Sequence, residues 1–263
     1  MCRWIAYRGE TIPLERYVTA PSHSLVVQSL RALESTASTN GDGFGLGWYD
    51  EHEEPGLYRE VRPAWSDENL RHLCRHIRSH LFFAHVRATT GAPITRPNCH
   101  PFAHSRWMFM HNGQIGDWPL IRRRAEALIP DDYYTSRIGT TDSEAVFLAI
   151  MGAGADRDPV AATVQTLTAL TELVRASGTR QPLRFTAALS DGRDLFAFRY
   201  ANEGAANSLY YRTAGGNVLI VSEPLDTERA NWKAVPPGHM IIARAGAPVA
   251  LEPLLVDARL AAE

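Results

Sequence analysis

Between residues 183 and 251 the chain breaks into six short apolar runs, at 183–190, 194–200, 208–212, 217–222, 239–244 and 248–251, with turns such as Asp191-Gly192 and Gly215-Gly216 between them. Runs of this length and spacing read as strands, and the residues before them decide what covers those strands. Upstream, the apolar spacing predicts strands at 3–8, 56–62, 81–88 and 106–111. It predicts helices over 24–35, from Ser66 (as N-cap) to Ser79, over Pro119–Leu128, from Thr141 onward and over 158–176. No linker, repeat or low-complexity stretch interrupts the chain. Strands, helices and strands again in one continuous run predict a single layered α+β domain spanning 1–263, with helices packed on sheets.

Composition narrows the function by exclusion. A formal net charge of −2 gives no general attraction to nucleic acid or an anionic membrane. No run of about 18 apolar residues exists to cross a bilayer, and the N-terminus lacks a signal-peptide layout. The cysteines, Cys2, Cys74 and Cys99, are odd in number with no close pair, so a reducing cytoplasm is expected and a disulfide framework is not. Gly41, Gly43, Gly45 and Gly47 alternate, but match neither the dinucleotide fingerprint nor a phosphate loop, so no cofactor is expected. Alternate glycines leave one strand face bare, letting a ligand or another backbone come close. His72, His76 and His80 fall at intervals of four, but His80 lies past the expected helix end and no carboxylate joins the face, so a solvated, histidine-bearing face is expected more than a metal site.

Cys2 is the first residue with chemistry to offer. Loss of Met1 would leave its thiol and a free α-amine on one residue; the amine, titrating at about 7.7–8.0, can take the thiol's proton near neutral pH. The bland alternative is a buried cysteine that happens to stand second. Three further segments supply what a thiol amidase needs. Arg87, with Thr89, Thr90 and Gly91 after it, suits a carboxylate held by both oxygens, although a lone arginine is most often in an ion pair. Asn112-Gly113 offers an amide and a backbone N–H to a tetrahedral oxyanion; alone, Asn-Gly is usually a turn. Asp142 could pair with an ammonium group, or merely cap a helix. Thr141 and Glu144 have capping-box spacing.

Taken in order, Cys2, Arg87-Ala88-Thr89-Thr90-Gly91, Asn98-Cys99-His100-Pro101-Phe102, His111-Asn112-Gly113 and Thr141-Asp142-Ser143-Glu144 resemble the class II glutamine amidotransferases. These are members of the N-terminal-nucleophile hydrolases. The resemblance implies a four-layer αββα sandwich of two antiparallel sheets. It implies Cys2 as nucleophile with its freed amine as base, Asn112 and Gly113 as the oxyanion hole, Arg87 with Thr89 and Thr90 on the substrate α-carboxylate, and Asp142 on its α-ammonium. Better-known members read Arg-Trp-Ala-Thr-His-Gly where this chain has Arg87-Ala88-Thr89-Thr90-Gly91. The shorter form looks like the stand-alone branch, which includes amidases acting on γ-glutamyl compounds in glutathione breakdown and ergothioneine synthesis. Three functions follow as expectations: hydrolysis of glutamine with ammonia passed to a separate synthase partner or to none, hydrolysis of a γ-glutamyl peptide or conjugate, or a non-catalytic subunit that binds such a ligand.

Overall fold

The computed structural model describes residues 2–34, 39–89 and 91–256. The chain opens with the strand β1 (Arg3–Pro13), then the helices α1 (Glu15–Val18) and α2 (Leu25–Leu30). The strands β2 (Phe44–Trp48) and β3 (Gly56–Glu60), the helix α3 (Glu68–His76) and the strand β4 (Arg78–Val86) follow. A short β5 (Phe102–His104) and a long β6 (Trp107–Ile115) lead into the helices α4 (Trp118–Glu126), α5 (Asp131–Tyr134), α6 (Asp142–Gly152) and α7 (Pro159–Ala176). The remainder is strand: β7 (Leu183–Ser190), β8 (Leu195–Ala201), β9 (Tyr210–Ala214), β10 (Asn217–Val221), β11 (Lys233–Ala234), β12 (His239–Ala243) and β13 (Ala250–Pro253).

These strands form two sheets, in the orders β11-β9-β10-β1-β4-β2-β3 and β13-β12-β8-β7-β6-β5, with antiparallel pairing throughout. Side chains alternate across each strand, and the three apolar clusters follow that alternation. Trp4, Ala6, Leu81 and Phe83 meet Met108, Met110, Ala188 and Ala197 between the sheets. Ile5, Tyr7, Phe82 and Ala84 turn outward to Val18, Leu25, Leu70 and Cys74 of α1–α3. Phe109, Phe185 and Phe198 turn outward on the other side to Ile121, Phe147, Leu167 and Leu170 of α4, α6 and α7. The result is the αββα sandwich expected from the sequence. Among the described residues, no helix is long and apolar enough to cross a membrane.

Several local expectations give way to tertiary partners. The helix predicted over 24–35 stops at Leu30, because the N–H groups of Leu33 and Glu34 bond to the Glu223 carboxylate and not to a helical carbonyl. Asp67, not Ser66, caps α3, its side chain accepting from Leu70 N–H. The capping box ahead of α6 is half formed. Thr141 accepts from Glu144 N–H, but the Glu144 carboxylate turns to Ile138 N–H. The short β5, β11 and α5 had no signal of their own. His72 and His76 are exposed as expected, while His80 lies in β4 and its Nε2 bonds the Gly192 carbonyl.

The alternating glycines act through their bareness. A Cβ on Gly45 would collide with the His100 carbonyl, one on Gly43 with Cys99 Sγ and one on Gly47 with Met108 Sδ. The segment 99–101 therefore lies directly on β2, and β2 adjoins β4, the strand that leads into Arg87.

Candidate functional site

β1 and β4 run antiparallel with Arg3 opposite Val86 and Trp4 opposite His85, so the start of β1 lies beside the residues that follow β4. Half-buried Cys2 accordingly has its Sγ 3.4 Å from the Ala88 N–H nitrogen and 3.6 Å from the Ala88 carbonyl. Burial pushes the Cys2 thiol above its ordinary value, and the hydrogen bond from Ala88 opposes that shift. Arg3 donates from Nη1 to the Cys2 carbonyl at 2.9 Å and from Nε to Glu223 at 2.8 Å. Glu223 also takes hydrogen bonds from His23, Leu33 N–H and Glu34 N–H. Burial raises its carboxyl, but those donors and the Arg3 charge outweigh it and hold the group at about 2. Met1, whose removal the Cys2 chemistry calls for, lies outside the described residues.

Arg87 is buried, and among the described residues its guanidinium reaches only oxygens of neutral groups: the Asp42, Ala92 and Pro93 carbonyls and the Thr89 hydroxyl, at 3.2–3.5 Å. Among the described residues it forms no ion pair. Thr89 is fixed in turn, its N–H donating to Asp42 Oδ2 and its hydroxyl to the Ala92 carbonyl. Thr90 lies outside the described residues.

Asn112 and Gly113 stand within β6, not after it. Met108 and Met110 face the other sheet, and Asn112 continues that face. Its Nδ2 is buried with no partner among the described residues, while its carbonyl accepts from Asn207 Nδ2 at 3.0 Å. Gly113 has no room for a side chain, since a Cβ would collide with the Arg184 carbonyl and His111 Nε2. Directly before Asn112, the His111 carbonyl accepts from His85 Nε2 at 3.3 Å, joining β6 to β4 across the sandwich. His85 stacks on His100 with ring centres 4.2 Å apart. Burial holds His85 down at about 3, with the nearby Arg87 charge adding to the effect, and pushes His100 well below its ordinary value.

Asp142 opens α6, capped by Thr141. Its Oδ2 accepts from Ile115 N–H at 3.1 Å, and its Oδ1 from Ser143 N–H at 2.8 Å and the Ser143 hydroxyl at 3.3 Å. That hydroxyl lies 2.9 Å from His111 Nδ1. Buried Asn98 closes the circuit: Nδ2 donates to the Pro93 carbonyl at 2.9 Å, and Oδ1 accepts from Thr140 N–H at 2.8 Å. The segment beside Arg87 is thereby fastened to the residues just ahead of Asp142.

Hydrogen bonds thus run from Arg87 through Thr89, Ala92, Pro93 and Asn98 to Thr140, and from Asp142 through Ser143 to the strand bearing Asn112. Residue types and order in the sequence picked out Cys2, Arg87, Thr89, Asn112, Gly113 and Asp142. They passed over His85, Ser143, Asn207 and Glu223, and gave Asn98 no role beyond its motif. Asn98 and Ser143 stand inside the quoted motifs and His85 two residues ahead of Arg87, so those motifs and their flanks were the available signal; Asn207 and Glu223 had none. Among the described residues, only Asp50, Glu51 and His52 bring three metal-capable atoms within 4.8 Å of one another. All three are exposed, at the far end of β2 from Gly43.

A family profile described as "Glutamine amidotransferases class-II" matches residues 17–214. The chain is 30% identical to the probable glutamine amidotransferase DUG3 of Saccharomyces cerevisiae, over 92% of this chain and 81% of that one. It is 29% identical to the gamma-glutamyl-hercynylcysteine sulfoxide hydrolase of Mycolicibacterium smegmatis, over 93% and 96% of the two chains. A solved structure of a glutamine aminotransferase class-II domain protein from Silicibacter pomeroyi superposes with a TM-score of 0.77 at 39% identity, covering 96% of this chain and 99% of that one.

Proposed function

Starting from a chain that belongs to the class II glutamine amidotransferases, an amidohydrolase family, we propose a thiol amidase whose nucleophile is Cys2 and whose substrate carries a γ-glutamyl amide. One observation carries this reading. Arg87, a buried cation with no anion paired to it among the described residues, is adjacent in sequence to Ala88, whose N–H bonds the Cys2 thiol. A buried charge without a partner costs several kcal/mol, so the site favours an anionic group beside the thiol. The α-carboxylate of a γ-glutamyl compound is such a group, and its α-ammonium then pairs with Asp142. Asp142 is already oriented by three donors.

The chemistry follows from these assignments. Burial disfavours the Cys2 thiolate, so a base must take the proton, and the α-amine freed by loss of Met1 is on the same residue. Sulfur attacks the γ-carbonyl carbon, and the carbonyl oxygen becomes an oxyanion. Asn112 Nδ2, buried with its hydrogen-bonding capacity unused, and Gly113 N–H donate to it. The C–N bond breaks as the ammonium returns its proton to the departing amine, leaving a γ-glutamyl thioester. Water, deprotonated by the same amine, adds to the thioester and releases glutamate and the thiol.

With glutamine the departing amine is ammonia, free to leave or to pass to an acceptor on a partner protein. With a γ-glutamyl conjugate it is the amine of the conjugate. The similarity to a gamma-glutamyl-hercynylcysteine sulfoxide hydrolase over 93% of this chain favours the second case. A panel comparing ammonia release from glutamine with amine release from γ-glutamyl peptides separates the two. Cys2→Ser is expected to abolish turnover of every substrate. Intact mass is expected to show Met1 absent, and a glutamine-like diazoketone is expected to label Cys2 alone. A chain with Met1 removed that turns over nothing in the panel would leave the non-catalytic binding subunit as the reading.

A further inference from the structure

The network around Asp142 contains one hydroxyl asked to serve two neighbours. The Ser143 Oγ lies 3.3 Å from Asp142 Oδ1 and 2.9 Å from His111 Nδ1. On the far side of the same ring, His111 Nε2 faces the Arg184 carbonyl at 3.1 Å. A carbonyl only accepts, so Nε2 carries the ring hydrogen and Nδ1 of a neutral ring is a lone pair. Burial favours that neutral ring, while the Asp142 charge pulls toward protonation. Ser143 has a single proton. Given to Asp142, it leaves Nδ1 without a donor; given to His111, it leaves a hydroxyl lone pair against a carboxylate. Neither neighbour is satisfied without cost while Asp142 is unpaired.

We propose that Ser143 and His111 are positioning residues that make the strand bearing Asn112 respond to an ammonium group bound at Asp142. The inference rests on the reading of Asp142 given above. A cation at Asp142 relieves the carboxylate's demand on Ser143, whose hydroxyl then turns to His111 Nδ1 and locks the imidazole. The backbone at His111 is held from the other sheet by His85, so the locked ring fixes the residue directly before Asn112. Recognition of the substrate's head and readiness of the oxyanion donors thereby become one event. A γ-amide without the ammonium binds without this effect.

The test pairs glutamine with glutaramate, the same skeleton lacking the α-amino group, in the full chain and in Ser143→Ala, Ser143→Thr, His111→Gln and Asp142→Asn. A hydrogen bond between neutral groups is worth about 0.5–1.5 kcal/mol, or roughly 2–13-fold. Ser143→Ala and His111→Gln are therefore expected to lower kcat/KM for glutamine by several-fold, up to about tenfold, largely in kcat, and to leave glutaramate turnover within about twofold. Ser143→Thr, which keeps the hydroxyl, is expected to recover most of the loss. Equal losses on both substrates in Ser143→Ala, with Asp142→Asn selective for glutamine, would mean general damage at Ser143 and would overturn the inference alone. If Asp142→Asn itself lowers both substrates equally, the Asp142 assignment fails and the inference falls with it.

Discussion

The Asn112 side chain is buried with its Nδ2 unpartnered, and a buried amide donor left without an acceptor costs about 1–3 kcal/mol. In the proposed mechanism the acceptor that offsets this cost is the oxyanion. Truncation should therefore separate activity from stability. Asn112→Ala is expected to lower kcat by about 10²–10³ while the thermal midpoint stays within a few degrees, because that donor loses no native partner. Steady-state kinetics and a melting curve on one preparation check this; a fall in stability without a fall in kcat would remove Asn112 from the mechanism. Arg87 is the opposite case. Its guanidinium is spread over three carbonyls and a hydroxyl in a planar fork that lysine cannot reproduce. Arg87→Lys is expected to raise KM for the proposed γ-glutamyl substrate by tenfold or more.

At the level of the element, the glycines of β2 hold a loop. The His100 backbone lies where a Gly45 Cβ would be, and the same loop supplies the Pro93 carbonyl to Arg87 and Asn98 to Thr140. Gly45→Ala is expected to destabilise the protein by about 1–3 kcal/mol through overpacking and to weaken substrate binding as the loop lifts. A chemical melt read beside KM tests both effects, and an unchanged KM would detach the loop from the site. The glycine spacing was legible in the sequence because strand periodicity and bareness are local properties. So were α7, read from apolar positions at helical spacing over 158–176, and the strand over 3–8, whose alternation puts Trp4 and Ile5 on opposite faces. What the sequence could not carry was long-range demand on local groups. Leu33 and Glu34 leave helical geometry for a carboxylate some 190 residues away. Asn112-Gly113, a turn by local statistics, is drawn into β6 by pairing with Thr186 and Phe185 of β7. Glu144 abandons its capping role for Ile138.

For the molecule as a whole, the buried titratable groups set a one-sided response to acid. His85 stays neutral down to about 3 in the folded state, against an ordinary value of 6.5. Between those values the unfolded chain binds a proton that the folded one refuses, so stability falls as pH drops below 6.5. Glu223 lies at about 2 in the fold against 4.5 ordinarily. The stability it contributes is therefore present above 4.5 and is lost as pH falls through about 2. Both act in the same direction. His85→Phe is expected to flatten the decline in unfolding free energy between pH 6.5 and 4.5 by up to about 1.4 kcal/mol per pH unit. Denaturant melts across that range check it, and an unaltered slope would mean that His85 does not titrate in this way. Glu223 makes its contact with Arg3 across 220 residues, and β1, the first strand described, takes β4 as one neighbour and β10 as the other. During translation the opening segment therefore waits, with one edge bare, until residues 217–223 have cleared the ribosome. Ordering of β1 is thus tied to synthesis of residues 217–223, and a nascent product truncated before them lacks the last clasp on that strand.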